Sequence, residues 1–277
     1  MIIDSHAHIH MPAESFRFMA ELIGGRANPY TLPKIPDASI RKVAEDQIKI
    51  MDSVGTDIQF ISPRPYLQMH SVKPAKVTEL WSRHCNDLIA EFVKLFPDRF
   101  RGVAGLPQYM DESLELRAIP ELRRCVNDLG FVGCLINPDA TEGLGDPPGM
   151  GDPYWHPLYR VMVELDVPGL IHSAGSCSER ESYTLKFLNE ESISVVSLLG
   201  AKTLDAFPGL KIVVAHGGGA IPYQMGRFRS WNVRKGEKES FDDQIKKLYF
   251  DTCNYSEEAM ELLIKVVGPD IVMFGTE

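Results

Sequence analysis

Met1-Ile2-Ile3-Asp4-Ser5-His6-Ala7-His8 opens the chain, a short apolar run that closes on two histidines one residue apart. Residues two apart in an extended strand point the same way, so His6 and His8 present both imidazoles on one side while Ala7 faces the other. Runs of the same kind, apolar and rich in β-branched residues, recur at 57–62, 100–106, 131–136, 168–172, 211–216, 248–251 and 271–274. With 2–6 they make eight strands. Helical patterns lie between them: Ile40, Val43, Ala44, Ile48 and Met51 share one stripe, and Val77, Leu80, Trp81, His84, Leu88 and Phe92 form another. Gly55 and Gly130 stand just before strands, where a glycine closes a helix, and Ser256 followed by Glu257 and Glu258 reads as a helix start.

Strand and helix in alternation imply a parallel sheet, and eight such units imply a (β/α)8 barrel occupying residues 1–277 as a single domain. An open doubly wound sheet would carry a glycine-rich turn after its first strand, where this chain has His-Ala-His-Ile-His. The segment 143–151, rich in Gly, Pro and Asp, reads as a loop after strand four. The stretch 12–36 reads as irregular and is expected to overhang the barrel mouth. The eighth strand has no helix after it, which would leave apolar surface uncovered; the expectation is a polypeptide that continues beyond Glu277.

Composition narrows the function classes. Apolar residues make up 44% and charged residues 24% of 277, and the net charge of -9 without runs of like charge argues against a nucleic-acid surface. No segment reaches the roughly 18 apolar residues that span a bilayer, so no membrane partner is expected. Five cysteines, Cys85, Cys125, Cys134, Cys177 and Cys253, are scattered without a CxxC pair, which fits a reducing, cytoplasmic setting. A homo-oligomer is the expected assembly.

Functional residues of α/β barrels gather at the C-terminal ends of the strands. His6 and His8 end strand one, His172 strand five, His216 strand six, Asp251 strand seven and Glu277 strand eight. Neutral imidazole is the commonest metal ligand, and three nitrogen or oxygen ligands with one open position make a catalytic zinc site. Asp251 could be a second acid, a weak ligand or a cap for the next turn.

This pattern resembles the amidohydrolase superfamily, whose members carry HxH on strand one, histidines on strands five and six and a carboxylate on strand eight. The resemblance implies metal-dependent chemistry at His6, His8, His172 and Glu277. Strand four, Phe131-Val-Gly-Cys-Leu-Ile-Asn137, lacks the lysine of binuclear members, which implies one divalent ion, zinc by ligand type. Within the superfamily the likeness is to the group holding carboxymuconate-type decarboxylases and 4-oxalomesaconate hydratase. Gly275-Thr276-Glu277, the segment His216-Gly-Gly-Gly through Arg227, and Ser62-Pro63-Arg64 tilt it toward the hydratase. The implied activity is addition of water to an unsaturated keto-carboxylate, with a non-oxidative decarboxylase, a hydrolase or an inactive binding barrel as alternatives.

The implied substrates are small di- or tricarboxylates, for which guanidinium forks are suited. Arg64 and Arg227 are placed to supply them, with Asn137 and Tyr183 as further contacts, and His216 or Glu277 would move protons. Three glycines after His216 are expected to bring backbone amides to the ligand. The resemblance also leads to a tyrosine just before Leu188, where this chain has Phe187, leaving Tyr183 to supply a phenol.

Overall fold

The computed structural model describes every residue except Met110, and the side chain of Tyr183 also lies outside the described residues. The elements run β1 (Ile3–His8), α1 (Ala13–Ile23), α2 (Asp37–Val54), β2 (Ile58–Ser62), α3 (Ala75–Leu95), β3 (Phe100–Gly105), α4 (Ala118–Asn127) and β4 (Gly133–Ile136). They continue as α5 (His156–Glu164), β5 (Gly169–Ile171), α6 (Tyr183–Gly200), α7 (Thr203–Ala206), β6 (Ile212–Val214), α8 (Met225–Arg234), α9 (Phe241–Ile245), β7 (Tyr249–Asp251), α10 (Glu257–Val267) and β8 (Val272–Met273). All eight strands pair in parallel with their sequence neighbours, in the order β1 to β8.

The residues beyond β8 close the ring. Ser5 N donates to Phe274 O and Glu277 N to His6 O, each at 2.8 Å. Asp4, fully buried, fixes this seam: it accepts from Thr276 Oγ1 at 2.6 Å, Thr276 N at 3.1 Å and Gln59 Nε2 at 2.9 Å. A register irregularity in β1 between Asp4 and Ala7 places a bulge beside the histidine pair.

Strand alternation sorts the core into two clusters. Leu135, Leu170, Val213 and Ala215 pack together with Met273 inside the barrel. Cys134, Ile136, Ile171, Ile212, Val214 and Phe250 join the helices in the larger outer core. Trp81, Ile89 and Phe92 of α3 are almost wholly buried there, and each such side chain contributes roughly 1.5–3 kcal/mol. Helix ends follow local chemistry: Gly55 closes α2 at φ 75°, and Ser256 Oγ accepts from Ala259 N to start α10.

One expectation fails. The stretch 12–36 is not irregular throughout, because Ala13–Ile23 forms α1, which buries Phe18 and Leu22 and packs on α3, where Ser15 Oγ meets His84 Nε2 at 2.9 Å. Residues 32–35 then lie beside α2 and α3 in the helix layer. No helix of the described residues is long and apolar enough to cross a membrane. Among the described residues no helix follows β8, and Ile2, Ile3 and Phe274 at that seam are exposed.

Candidate metal centre and pocket

Four imidazoles meet at the C-terminal mouth of the barrel. Ring centroids of His6 and His8 are 5.1 Å apart, His6 and His172 5.0 Å, His8 and His172 5.3 Å, and His172 and His216 4.7 Å. The potential ligand atoms of His6, His8 and His172 all lie within 4.8 Å of one another, and those of His172, His216 and Glu277 form a second such group sharing His172. Alternation delivers three of these rings directly, since β1 and β5 turn His6, His8 and His172 inward. His216 arrives differently: Ala215 before it faces the barrel interior, and a left-handed φ of 50° at His216 breaks the alternation.

Each imidazole is held from behind through Nδ1. His6 Nδ1 donates to Asp251 Oδ2 at 2.7 Å, His172 Nδ1 to Ser173 O at 2.8 Å and His216 Nδ1 to Glu191 Oε1 at 2.7 Å. Ser62 Oγ lies 2.9 Å from His8 Nδ1 and can direct its own proton to Pro63 O, 3.3 Å away. With the protons on Nδ1, the Nε2 atoms of His6, His8 and His172 keep bare lone pairs, and these three, like Nε2 of His216, are buried without a hydrogen-bond partner. Buried polar atoms are rarely left unpaired, and metal-binding imidazoles are almost always braced through the opposite nitrogen. The residues present therefore fit a divalent cation.

Electrostatics agree. Burial, reinforced by His6 and His172, holds His8 well below the ordinary histidine pKa, and burial takes His172 down to about 4. Burial works against the charge on Asp251, but His6 outweighs it and the carboxyl is held below its usual range. Glu277 reaches into the same space, 3.8 Å from His172 Nε2 and 3.5 Å from His216 Nε2, and its Oε2 accepts a hydrogen bond from Tyr255. Burial opposes its charge, yet His172, His216 and Tyr255 together keep it far below the usual carboxylate range. His216 and Glu191 form a buried ion pair; burial disfavours its charge, but the surrounding Glu191, Glu277 and Asp251 carboxylates hold a proton on His216 well above its ordinary pKa.

A pocket of about 610 Å³ opens above these groups, lined among others by His8, Arg64, Phe187, His216, Tyr255 and Glu277. α6 forms one wall and is anchored by Lys186, whose side chain is 3% exposed and whose ammonium lies 2.5 Å from Asp139 Oδ2 and 2.8 Å from Glu190 Oε1. Phe187 on the same helix stacks on His216 at 5.6 Å and meets His172 edge-on at 4.9 Å.

Other residues singled out in the sequence lie elsewhere. Arg64 lines the pocket, its Nη1 3.3 Å from the Tyr66 hydroxyl, whereas Arg227 is exposed on α8 and does not line it. Asn137 is buried with its amide spent: Nδ2 donates to His70 Nδ1 and Asp139 O, and Oδ1 accepts from Asp139 N and Ala174 N. Its role is to brace the β4 turn, leaving nothing for a ligand. Tyr183's phenol lies outside the described residues. The glycine amides after His216 are also consumed, Gly217 N by Asp251 Oδ1, Gly218 N by Ala215 O and Gly219 N by His216 O. What the glycines permit is close packing, since a β carbon at Gly219 would come within 2.4 Å of Leu188 O on α6. Asp251, open in the sequence, is the brace of His6. Glu191 and Tyr255 were not singled out at all.

The sequence pattern of the amidohydrolase family matches residues 3–277. The chain belongs to the amidohydrolase family. It is 37% identical over 285 residues to the 2-keto-4-carboxy-3-hexenedioate hydratase of Sphingobium sp., covering 100% of this chain and 83% of that protein. The crystal structure of 4-oxalomesaconate hydratase from Rhodopseudomonas palustris superposes with a TM-score of 0.88 at 33% identity, covering 100% of this chain and 82% of that one. A dihydroxybenzoic acid decarboxylase from Polaromonas sp. JS666, solved with bound manganese and an inhibitor, superposes at 0.73 with 25% identity over 99% of this chain and 85% of that one.

Proposed function

We propose that this amidohydrolase-family barrel adds water to the carbon–carbon double bond of an unsaturated keto-carboxylate, the class to which 4-oxalomesaconate belongs. One divalent ion, zinc by the chemistry of its donors, would be held by His6, His8, His172 and Glu277. The observation that carries the reading is the convergence of bare imidazole Nε2 atoms and an ionised glutamate beside one guanidinium. Similarity over the whole of this chain to two hydratases supports it.

When bound, the ion supplies Lewis-acid polarisation and a lowered pKa for water. The chain's own groups do the rest. Arg64 pairs with a substrate carboxylate at the pocket rim, where a planar fork gives two-point recognition. His216, kept protonated by Glu191, donates from Nε2 to the carbon next to the carbonyl while the hydroxyl of water adds to the far carbon of the double bond. The proton that water gives up restores His216, so one water is consumed and no other species is released. Phe187, packed on two of the imidazoles, keeps bulk solvent from that face.

The test is turnover of 4-oxalomesaconate by zinc-loaded protein, followed by loss of conjugated absorbance together with a headspace assay for CO2. Absorbance loss without CO2 is expected. Release of CO2 would make the protein a decarboxylase instead, and no turnover by stoichiometrically loaded protein rejects the reading. Glu277→Gln should abolish turnover; near-normal activity refutes its role as a ligand.

A further inference from the structure

We propose that Tyr255 is a positioning residue that fixes the orientation of the Glu277 carboxylate, an inference that rests on reading Glu277 as a metal ligand. The loop after β7 is sewn to the end of β8: Thr252 Oγ1 donates to Gly275 O and accepts from Gly275 N, both at 3.1 Å, and Asn254 N donates to Thr252 O at 2.7 Å. Tyr255 then takes a left-handed φ of 53°, which residues bearing a β carbon adopt rarely. Its hydroxyl donates to Glu277 Oε2.

The ring is 73% exposed, so burial does not explain its placement. What the placement gains is the hydrogen bond. A glutamate carboxylate turns readily about its last bond, and here each oxygen has a separate neighbour: Oε1 faces His172 at 3.8 Å, while Oε2 faces His216 at 3.5 Å and receives the phenol. By occupying Oε2, Tyr255 leaves Oε1 facing His172, the histidine shared by both candidate ligand groups, where a cation would meet it. The outer partners of metal ligands are worth about 10–100-fold in affinity when removed, and this phenol stands in that relation to Glu277.

The experiment is a zinc titration of metal-free full-length protein against a chromogenic chelator, in wild type, Tyr255→Phe, Glu277→Gln and the double variant. Tyr255→Phe should bind zinc about tenfold or more weakly with an unchanged melting temperature in the metal-free state. In the Glu277→Gln background the same substitution should have no further effect, because it acts through that carboxylate. Wild-type affinity in Tyr255→Phe, additive losses in the double variant, a lowered metal-free melting temperature, or no zinc binding by wild type would each overturn the inference. No substrate is involved, so a wild type that binds zinc and hydrates nothing rejects the proposed activity alone.

Discussion

Replacing Lys186 with methionine tests whether the wall of the pocket is held by charge. The ammonium is buried between Asp139, Glu190 and, at 3.6 Å, Glu181. Methionine preserves the length of the stem and removes the cation, leaving buried carboxylates without their counter-ion, a change that typically costs about 3–5 kcal/mol. The two main partners should respond differently. Asp139 keeps hydrogen bonds from Thr141 N, Thr141 Oγ1 and Gly143 N, so it stays ionised. Among the described residues the Glu190 carboxyl is hydrogen-bonded by Lys186 alone and is already raised by burial, so it takes up a proton. A carboxyl whose folded pKa lies above its unfolded one loses stability as pH rises between the two, and regains it on acidification. The cost of Lys186→Met, about 4 kcal/mol at pH 7, should therefore shrink by up to about 2 kcal/mol at pH 5.5, at 1.36 kcal/mol per unit. Urea denaturation of both proteins at the two pH values measures it. A cost below about 1 kcal/mol at pH 7, or one that grows on acidification, would refute the reasoning.

Further outcomes follow from the other sites. Glu191→Gln keeps the shape beside His216 but removes the charge that holds its proton, and kcat should fall about 10²-fold with zinc content unchanged, as metal analysis and steady-state kinetics will show. Arg64→Met should raise KM for the keto-carboxylate by roughly 30- to 100-fold with a smaller change in kcat, the loss of one charge-assisted pair; an unchanged KM places the carboxylate elsewhere. Burial lowers His84 to about 4, so its neutral form stabilises the fold fully above the unfolded pKa of about 6.5, and that contribution disappears as pH falls toward 4. The stability of wild type relative to His84→Gln should drop by roughly 3 kcal/mol between pH 7 and pH 4, by thermal melts; a pH-independent difference counts against it.

The barrel was legible because each strand is a compact, mostly apolar run, and strands one, five and seven run into polar side chains that period-two reasoning alone turns inward. His6, His8 and His172 turn inward by that alternation, whereas His216 enters at a left-handed φ and Glu277 lies beyond the end of β8. α1 was hidden by Pro12, Gly24 and Gly25 around it, which punctuate like a loop, while its anchor, the Ser15 contact with His84, is made with a helix 69 positions away. Glu191 was hidden by its neighbour: two adjacent acids on a helix read as a solvated face, and only the packing of α6 against the turn after β6 shows that one of them is sealed against His216. Arg227 misled for the opposite reason, since nearness in sequence to His216 is undone by the turn that sends α8 outward. Asn137 stands at a strand end as a functional residue should, but its four hydrogen bonds are all spent on neighbouring chain.

The seam between β1 and β8 ties assembly of the site to completion of the fold. Thr276 and Asp4 are 272 positions apart, so their contact closes a loop of that length and must repay its closure entropy. Glu277 is stitched to His6 by its backbone amide at the same seam. With this seam open, the histidine pair would stand without Glu277 beside it, so any ligand that bridges His6 and Glu277 favours the closed seam by mass action.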